Sequence, residues 1–220
     1  MFQSRLVINF PGKGLAVWKT EHPGLIFGFP LEQNIPKPDK TFTDMKDLMR
    51  LKSLIATDIE MVLNVQIKME AHNSAVYLAL ASWCDRNGFD NSADHFYKQS
   101  EDERMHMMRF FKYVADMGGT AVSPSVDNIP QEFESFRDTF EAALELEIMT
   151  TQAINNIADR CYREKDFVTM EFLNWFHKEQ REEEYVARRC LELFEVIGEE
   201  GTGRWEIDRQ VPKVTYDSEA

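Results

Sequence analysis

From Thr57 onward, apolar residues return every three or four positions, in four long runs parted by helix breakers. The first predicts a helix from Thr57, where Thr57-Asp58-Ile59-Glu60 reads as a capping box, to about Arg86, with Asn87-Gly88 ending it. The second runs from about Asn91 to Met117 and stops at Gly118-Gly119. Ser135, with Asp138 three residues later, predicts the cap of a third helix reaching about Arg163. Asp166 caps a fourth, which reaches about Ile197 before Gly198. Residues 119–134 hold Pro124 and Pro130 and show no periodicity, and a last short helix, Arg204 to Gln210, is broken by Pro212. Short links join antiparallel neighbours, whereas a connection of roughly sixteen residues can cross the length of a bundle. The expected fold is therefore all-α: a four-helix bundle with a long second-to-third crossover and a short fifth helix.

Residues 1–42 follow another pattern. Pro11, Pro23, Pro30, Pro36 and Pro38, with Gly12, Gly14, Gly24 and Gly28, punctuate short apolar runs such as Leu6-Val7-Ile8, and no helix survives that spacing. This predicts an irregular N-terminal arm with one or two short strands, too apolar for a plain disordered linker. The arm is expected to pack on its own or a neighbouring subunit; a docking or targeting segment is the functional alternative. The organisation expected is an arm at 1–42, a short lead-in helix at 43–56, the bundle at 57–198, and a short C-terminal helix and tail at 199–220.

Following the apolar stripes in steps of three and four exposes the chemistry. Helix one gives Ile59, Leu63, Ile67, Glu70, Ser74, Tyr77 and Ala81; helix two gives Ala93, Phe96, Ser100, Glu103, Met107, Phe110 and Val114. Helix three gives Phe136, Phe140, Leu144, Glu147, Thr151, Ile154 and Ala158; helix four gives Phe172, Phe176, Gln180, Glu183, Ala187, Cys190 and Phe194. Each stripe is interrupted by one Glu near mid-helix, so all four meet at one level whichever way the helices run. Four carboxylates at one level of a core repel one another by on the order of several kcal/mol at an effective dielectric of about 20. Protonation relieves this with raised pKa values; two divalent ions neutralise Glu70, Glu103, Glu147 and Glu183 better. His106, three residues after Glu103 and on the same face, supplies a neutral nitrogen ligand, and Gln180 lies one turn from Glu183. Oxygen-rich ligation with an imidazole suits iron or manganese better than zinc. Tyr77 either bonds a ligand or carries electrons, or is a core tyrosine with a satisfied hydroxyl. Glu179, Glu182, Glu183 and Glu184, with Asp102 beside Glu103, form a second acidic group: a solvated face, or a third and weaker cation site.

Net charge and cysteines narrow the classes. The formal net charge of −13 argues against nucleic acid and suits a protein that attracts cations, though solubility alone explains it equally well. Cys84, Cys161 and Cys190 are odd in number and form no metal or disulfide pattern, which suits a reducing compartment and a cytoplasmic location. No apolar run spans a bilayer and no secretory signal is apparent, so no membrane partner is expected.

At these residues the chain resembles ferritin. Asn64-x-Gln66-x-x-x-Glu70, Ser82-Trp83-Cys84, Glu103-x-x-His106-Met107, Glu147, Gln152-x-Ile154-Asn155 and Phe172-Leu173-x-Trp175-Phe176-x-x-Glu179-Gln180-x-Glu182-Glu183-Glu184 recur with that family's spacing, over about residues 57–210. The resemblance implies a ferritin-like bundle and assembly of twenty-four identical subunits into a hollow shell. It implies a ferroxidase activity, Fe(II) oxidised by O2 or peroxide at an intrasubunit di-iron centre, with storage of ferric mineral. It implies one iron site from Glu70, Glu103 and His106, and a second from Glu103 as bridge, Glu147 and Glu183 with Gln180 beside it. Tyr77 matches the family's central tyrosine. The third site of prokaryotic ferritins would use Asp102, Glu179, Glu182 and Glu183, with Asp102 shorter than the usual Glu. Helix four offers Gln-x-x-Glu rather than Glu-x-x-His, so the chain is closer to the non-haem ferritins than to bacterioferritin, and no haem is expected. Residues 1–42 have no counterpart in the resemblance.

Overall fold

The computed structural model describes residues 53–217 and the backbone of two short strands. The chain divides into two compact units, Met1–Leu51 and Lys52–Ala220. In the first, β1 (Val7–Phe10) pairs antiparallel with β2 (Gly14–Val17), Val7 opposite Val17 and Phe10 opposite Gly14. The rest of the expected arm, and positions 43–52 of the expected lead-in helix, lie outside the described residues. Residues 53–56 are not helical; they bend into the start of α1, Leu54 N–H donating to the Met117 carbonyl at 2.8 Å.

The second unit holds α1 (Thr57–Arg86), α2 (Asp90–Asp116), α3 (Phe136–Glu164), α4 (Phe167–Ile197) and α5 (Gly203–Gln210), then a 3-10 turn over Val211–Lys213. The ends have local causes. Ser135 Oγ accepts from Asp138 N–H at 3.1 Å and Asp166 Oδ1 from Thr169 N–H at 2.9 Å, which satisfies orphan amides at the starts of α3 and α4. The α3–α4 turn closes through Lys165 in the left-handed region, at φ 59°. The capping box expected at Thr57 does not form: the residue before the helix is Ala56, and no side chain caps the turn. Glu60 is drawn instead to the crossover, where its Oε1 accepts from Thr120 N–H at 3.0 Å.

That crossover runs the length of the bundle along α1. At its start Asn64 donates to the Thr120 carbonyl at 3.0 Å and accepts from Val122 N–H at 2.8 Å. Near its end Arg86 pairs with Glu132 at 3.0 Å and donates to the Gln131 carbonyl at 3.2 Å. Asn64 to Arg86 is about 33 Å of helix, and the crossover covers it with about a dozen residues, near the reach of an extended chain. Hence α2 and α3 run parallel, while α1 pairs with α2 and α3 with α4 as antiparallel hairpins.

The interior holds two apolar clusters. One gathers Tyr77, Leu80, Trp83, Phe96, Phe136, Phe140 and Phe194, with Ile207 and Val211 from the C-terminal elements. The other gathers Ile59, Leu63, Ile67, Phe110, Val114, Ile154, Leu173 and Phe176. A polar layer lies between them. Cys84, Cys161 and Cys190 are buried, and desolvation pushes their thiols up to about 12, 11 and 12, so they remain protonated apolar packing. Among the described residues no helix is long and apolar enough to cross a membrane.

The fifth helix is fastened by one buried carboxylate. Asp208 accepts from Ser92 N–H at 2.8 Å, Ser92 Oγ at 2.7 Å and Asn91 Nδ2 at 2.7 Å, so it caps the start of α2 from another element. A side chain on Gly203, where α5 begins, would collide with the Gly198 carbonyl oxygen, so the turn into α5 admits only glycine. Asp208→Ala should cost about 2–3 kcal/mol, read as a lower midpoint in thermal melts of the purified protein; an unchanged midpoint would refute the assignment.

Candidate metal centre

The polar layer is built by one acid from each long helix. Glu70, Glu103 and Glu147 are buried to within 1 % exposure, and His106 likewise. Each sits on the stripe that the 3.6-residue repeat turns inward, with Ile67 and Phe110 packing below and Tyr77 and Phe140 above. Glu183 differs from the expected stripe: it is half-buried, and Gln180 is the residue at that level that is fully enclosed. The reason is rotation, since three residues fall short of a full helical turn and leave Glu183 at the rim.

Ligand atoms of Glu70, Glu103 and His106 all lie within 4.8 Å of one another. Among the described residues, Glu147, Glu183, Asp102, Glu179 and Glu182 do not join that set. Donors already occupy part of the group. Glu147 accepts from the Tyr77 hydroxyl at one oxygen and from Gln180 Nε2 at the other, the latter at 3.0 Å. Glu183 accepts from Gln99 Nε2 at 2.6 Å and Glu70 from Gln66 Nε2 at 2.8 Å. Of the expected third-site residues, Glu179 is half-buried with Oε1 3.7 Å from His106 Nε2, Asp102 is half-buried and Glu182 is exposed.

Four buried polar atoms in the trio have no hydrogen-bond partner: Glu70 Oε2, Glu103 Oε2, and both ring nitrogens of His106. His106 Nδ1 lies 3.8 Å from Glu103 Oε2, and its ring meets Trp175 and Phe176 edge-on at 5.5 and 6.0 Å, which fixes its plane. Buried groups of this kind are strongly penalised unless something pairs with them. Such a set of oxygens and one imidazole nitrogen matches the donors that a hard or borderline divalent cation takes.

Gln66, Gln99 and Asn73 escaped the stripe reading. Asn73 is buried and donates to Thr150 Oγ1 at 2.9 Å, tying α1 to α3 within the layer. For Gln66 the signal was present, four residues before Glu70, but an amide at that spacing is usually a solvated surface residue; Gln99 bonds Glu183 on another helix, which spacing along α2 does not reveal.

Electrostatics follow from burial. Desolvation, then the neighbouring Glu103 charge, raises Glu70 well above the ordinary carboxyl range; desolvation and Glu147 do the same for Glu103. Glu147 is raised by burial but relieved by the Tyr77 and Gln180 bonds. Burial and the Glu147 charge push Glu183 up to about 7. Burial lowers His106, but the contact with Glu179 and the charges of Glu70 and Glu183 outweigh it, so the imidazole is raised overall.

A four-helix bundle with a carboxylate–histidine trio between its hairpins defines a class of metal-handling bundle proteins. A family model described as ferritin-like domain matches residues 61–197, and the chain belongs to that family. It is 30% identical to the bacterial non-haem ferritin of Staphylococcus saprophyticus over 155 residues, 70% of this chain and 93% of the relative. It is 28% identical to that of Campylobacter jejuni over 161 residues, 73% and 96% of the two chains. Among solved structures, the open pore ferritin of the archaeon Archaeoglobus fulgidus superposes with a TM-score of 0.69 at 32% identity, covering 71% of this chain and 96% of that one.

The raised carboxyls set the pH behaviour of the metal-free protein. Each holds a proton when folded that it gives up when unfolded, near a pKa of about 4.3, so folding stability declines as pH rises through that interval. For Glu183 the interval ends at about 7. Melting midpoints of metal-free protein should fall across it, and Glu183→Gln should flatten the slope; a variant with the wild-type slope would contradict the assignment.

Proposed function

We propose that the protein is an iron-storage ferritin that oxidises Fe(II) with O2 at the acidic layer of each subunit and retains the ferric product within an oligomeric shell. The observation that carries this reading is the buried Glu70–Glu103–His106 trio with its four unpartnered atoms. Fe(II) is the reducing substrate and dioxygen or peroxide the oxidant. Glu70, Glu103 and His106 bind the first ion. Glu103 faces both hairpins and serves as bridge to a second ion held by Glu147 and Glu183, for which their bonds to Gln180, Tyr77 and Gln99 rearrange. Nδ1 of His106 would face the metal beside Glu103, and Nε2, now 3.7 Å from Glu179 Oε1, would close on that carboxylate as an outer partner. Asp102, Glu179 and Glu182 serve with Glu183 as a weaker third cation site. The similarity to bacterial non-haem ferritins supports the iron chemistry; the family resemblance carries the reading of a homo-oligomer of twenty-four chains, and the three reduced cysteines that of a cytoplasmic location.

Metal binding also converts the layer from a liability into a fastening. Two divalent ions offset four negative charges, and the ions then hold the hairpins together.

Aerobic addition of Fe(II) to wild type and to Glu103→Ala, followed by ferric absorbance, tests the reading. Oxidation in the variant should slow at least about tenfold, and equal rates would overturn it. A companion variant separates chemistry from folding. Glu103→Gln replaces a carboxyl that must take up a proton on folding by a neutral amide, so near pH 7 its metal-free form should melt above metal-free wild type, while added divalent metal should raise the wild-type midpoint and leave the variant nearly unchanged.

A further inference from the structure

An open groove of about 430 Å³ lies on the seam between α3 and α4, outside the trio. Its lining includes Thr151, His177, Gln180, Arg181, Tyr185 and Arg188. Two of these carry buried polar atoms with no partner, Thr151 Oγ1 and Gln180 Oε1. Gln180 is only 3% exposed and gives its Nε2 to Glu147 at 3.0 Å, which turns the amide oxygen away from that carboxylate. The oxygen can only accept, so it calls for a donor; the threonine hydroxyl can do either.

The rim sets the charge. The Arg181 guanidinium is held over the Tyr216 ring at 5.4 Å, and Arg188 pairs with Glu184 at 2.6 Å. Burial lowers the pKa of His177, which keeps it neutral near pH 7. Two guanidiniums against one carboxylate leave a positive spot on a chain of net charge −13. Guanidiniums match carboxylates in geometry as well as charge. The volume exceeds that of a bare inorganic ion and lies in the range of small-molecule sites. Ile154 and the Tyr185 ring offer apolar surface for a carbon skeleton.

We propose that this groove binds a small hydroxycarboxylate dianion. Its carboxylates meet Arg181 and Arg188, and its hydroxyl donates to Gln180 Oε1 beside Thr151. Bound there, it is separated from Glu147 by a single amide. The binding does not depend on the iron-oxidation reading.

Calorimetric titration of the purified, metal-free 220-residue protein with malate, and with succinate, which lacks the hydroxyl, tests this. Malate should bind saturably, at least about tenfold more tightly than succinate. Arg181→Gln, an exposed position, should weaken malate at least about tenfold, and Thr151→Val should narrow the gap between malate and succinate. Glu103→Ala should leave malate binding unchanged, which separates this site from the oxidation chemistry. Absence of saturable malate binding, equal affinity for both acids, or an Arg181→Gln variant that binds as wild type would each overturn the proposal.

Discussion

Three enclosed carboxylates, a fourth at the rim and a buried imidazole, set between two apolar clusters, are the constraint that the rest of the fold serves. Such a layer is unstable in isolation, because burial disfavours every charge it contains and the charges repel. The protein answers in two ways. Three amides and a phenol, Gln66 on the acid's own helix and Gln99, Gln180 and Tyr77 on other helices, each give a hydrogen bond to an acid. Apolar packing above and below then holds the layer at a fixed height. What those donors leave unmet is concentrated in Glu70, Glu103 and His106, where a cation would be accepted. Stability has been given up locally so that one place in the interior demands a ligand.

The arrangement also divides the work between the hairpins. α1 and α2 contribute Glu70, Glu103 and His106, and they are locked together by reciprocal Ser74 and Ser100 hydroxyl bonds to each other's carbonyls, at 2.8 and 2.7 Å. α3 and α4 contribute Glu147, Gln180 and Glu183, joined by the Gln180–Glu147 contact. The trio is thus complete within one hairpin, and the second hairpin brings a half-satisfied acid against it. Asn73 reaches across the boundary to Thr150, Tyr77 to Glu147 and Gln99 to Glu183, so neutral donors of the first hairpin tie it to a hydroxyl and two acids of the second.

Helical periodicity carried most of this information because a four-helix bundle turns one stripe of each helix inward and almost nothing else decides burial. The helices, their short links and the caps at Ser135 and Asp166 follow from local chemistry that a sequence displays. Thr57 and Glu60 show where local reading stops: the same two residues could close a capping box, but the crossover offered Glu60 a long-range amide, and tertiary context prevailed. Glu183 shows the resolution of a stripe. One residue's rotation separates an enclosed side chain from a rim one, and a repeat of 3.6 read in whole steps cannot register that. The amides differ from this: Gln66 meets an acid one turn along its own helix, whereas Gln99 meets Glu183 from another helix, a pairing that no spacing within α2 displays.

The crossover between α2 and α3 acts as a measuring strap. It spans the bundle with almost no slack, tied to Glu60 and Asn64 at one end and Arg86 at the other. A taut strap sets the axial offset of one hairpin against the other, and each residue removed would drag α3 by about 3.3 Å. That is more than half a helical turn, enough to carry Glu147 out of plane with Glu103. The length of an irregular, proline-bearing segment on the outside of the molecule thereby sets the alignment of charges at its centre.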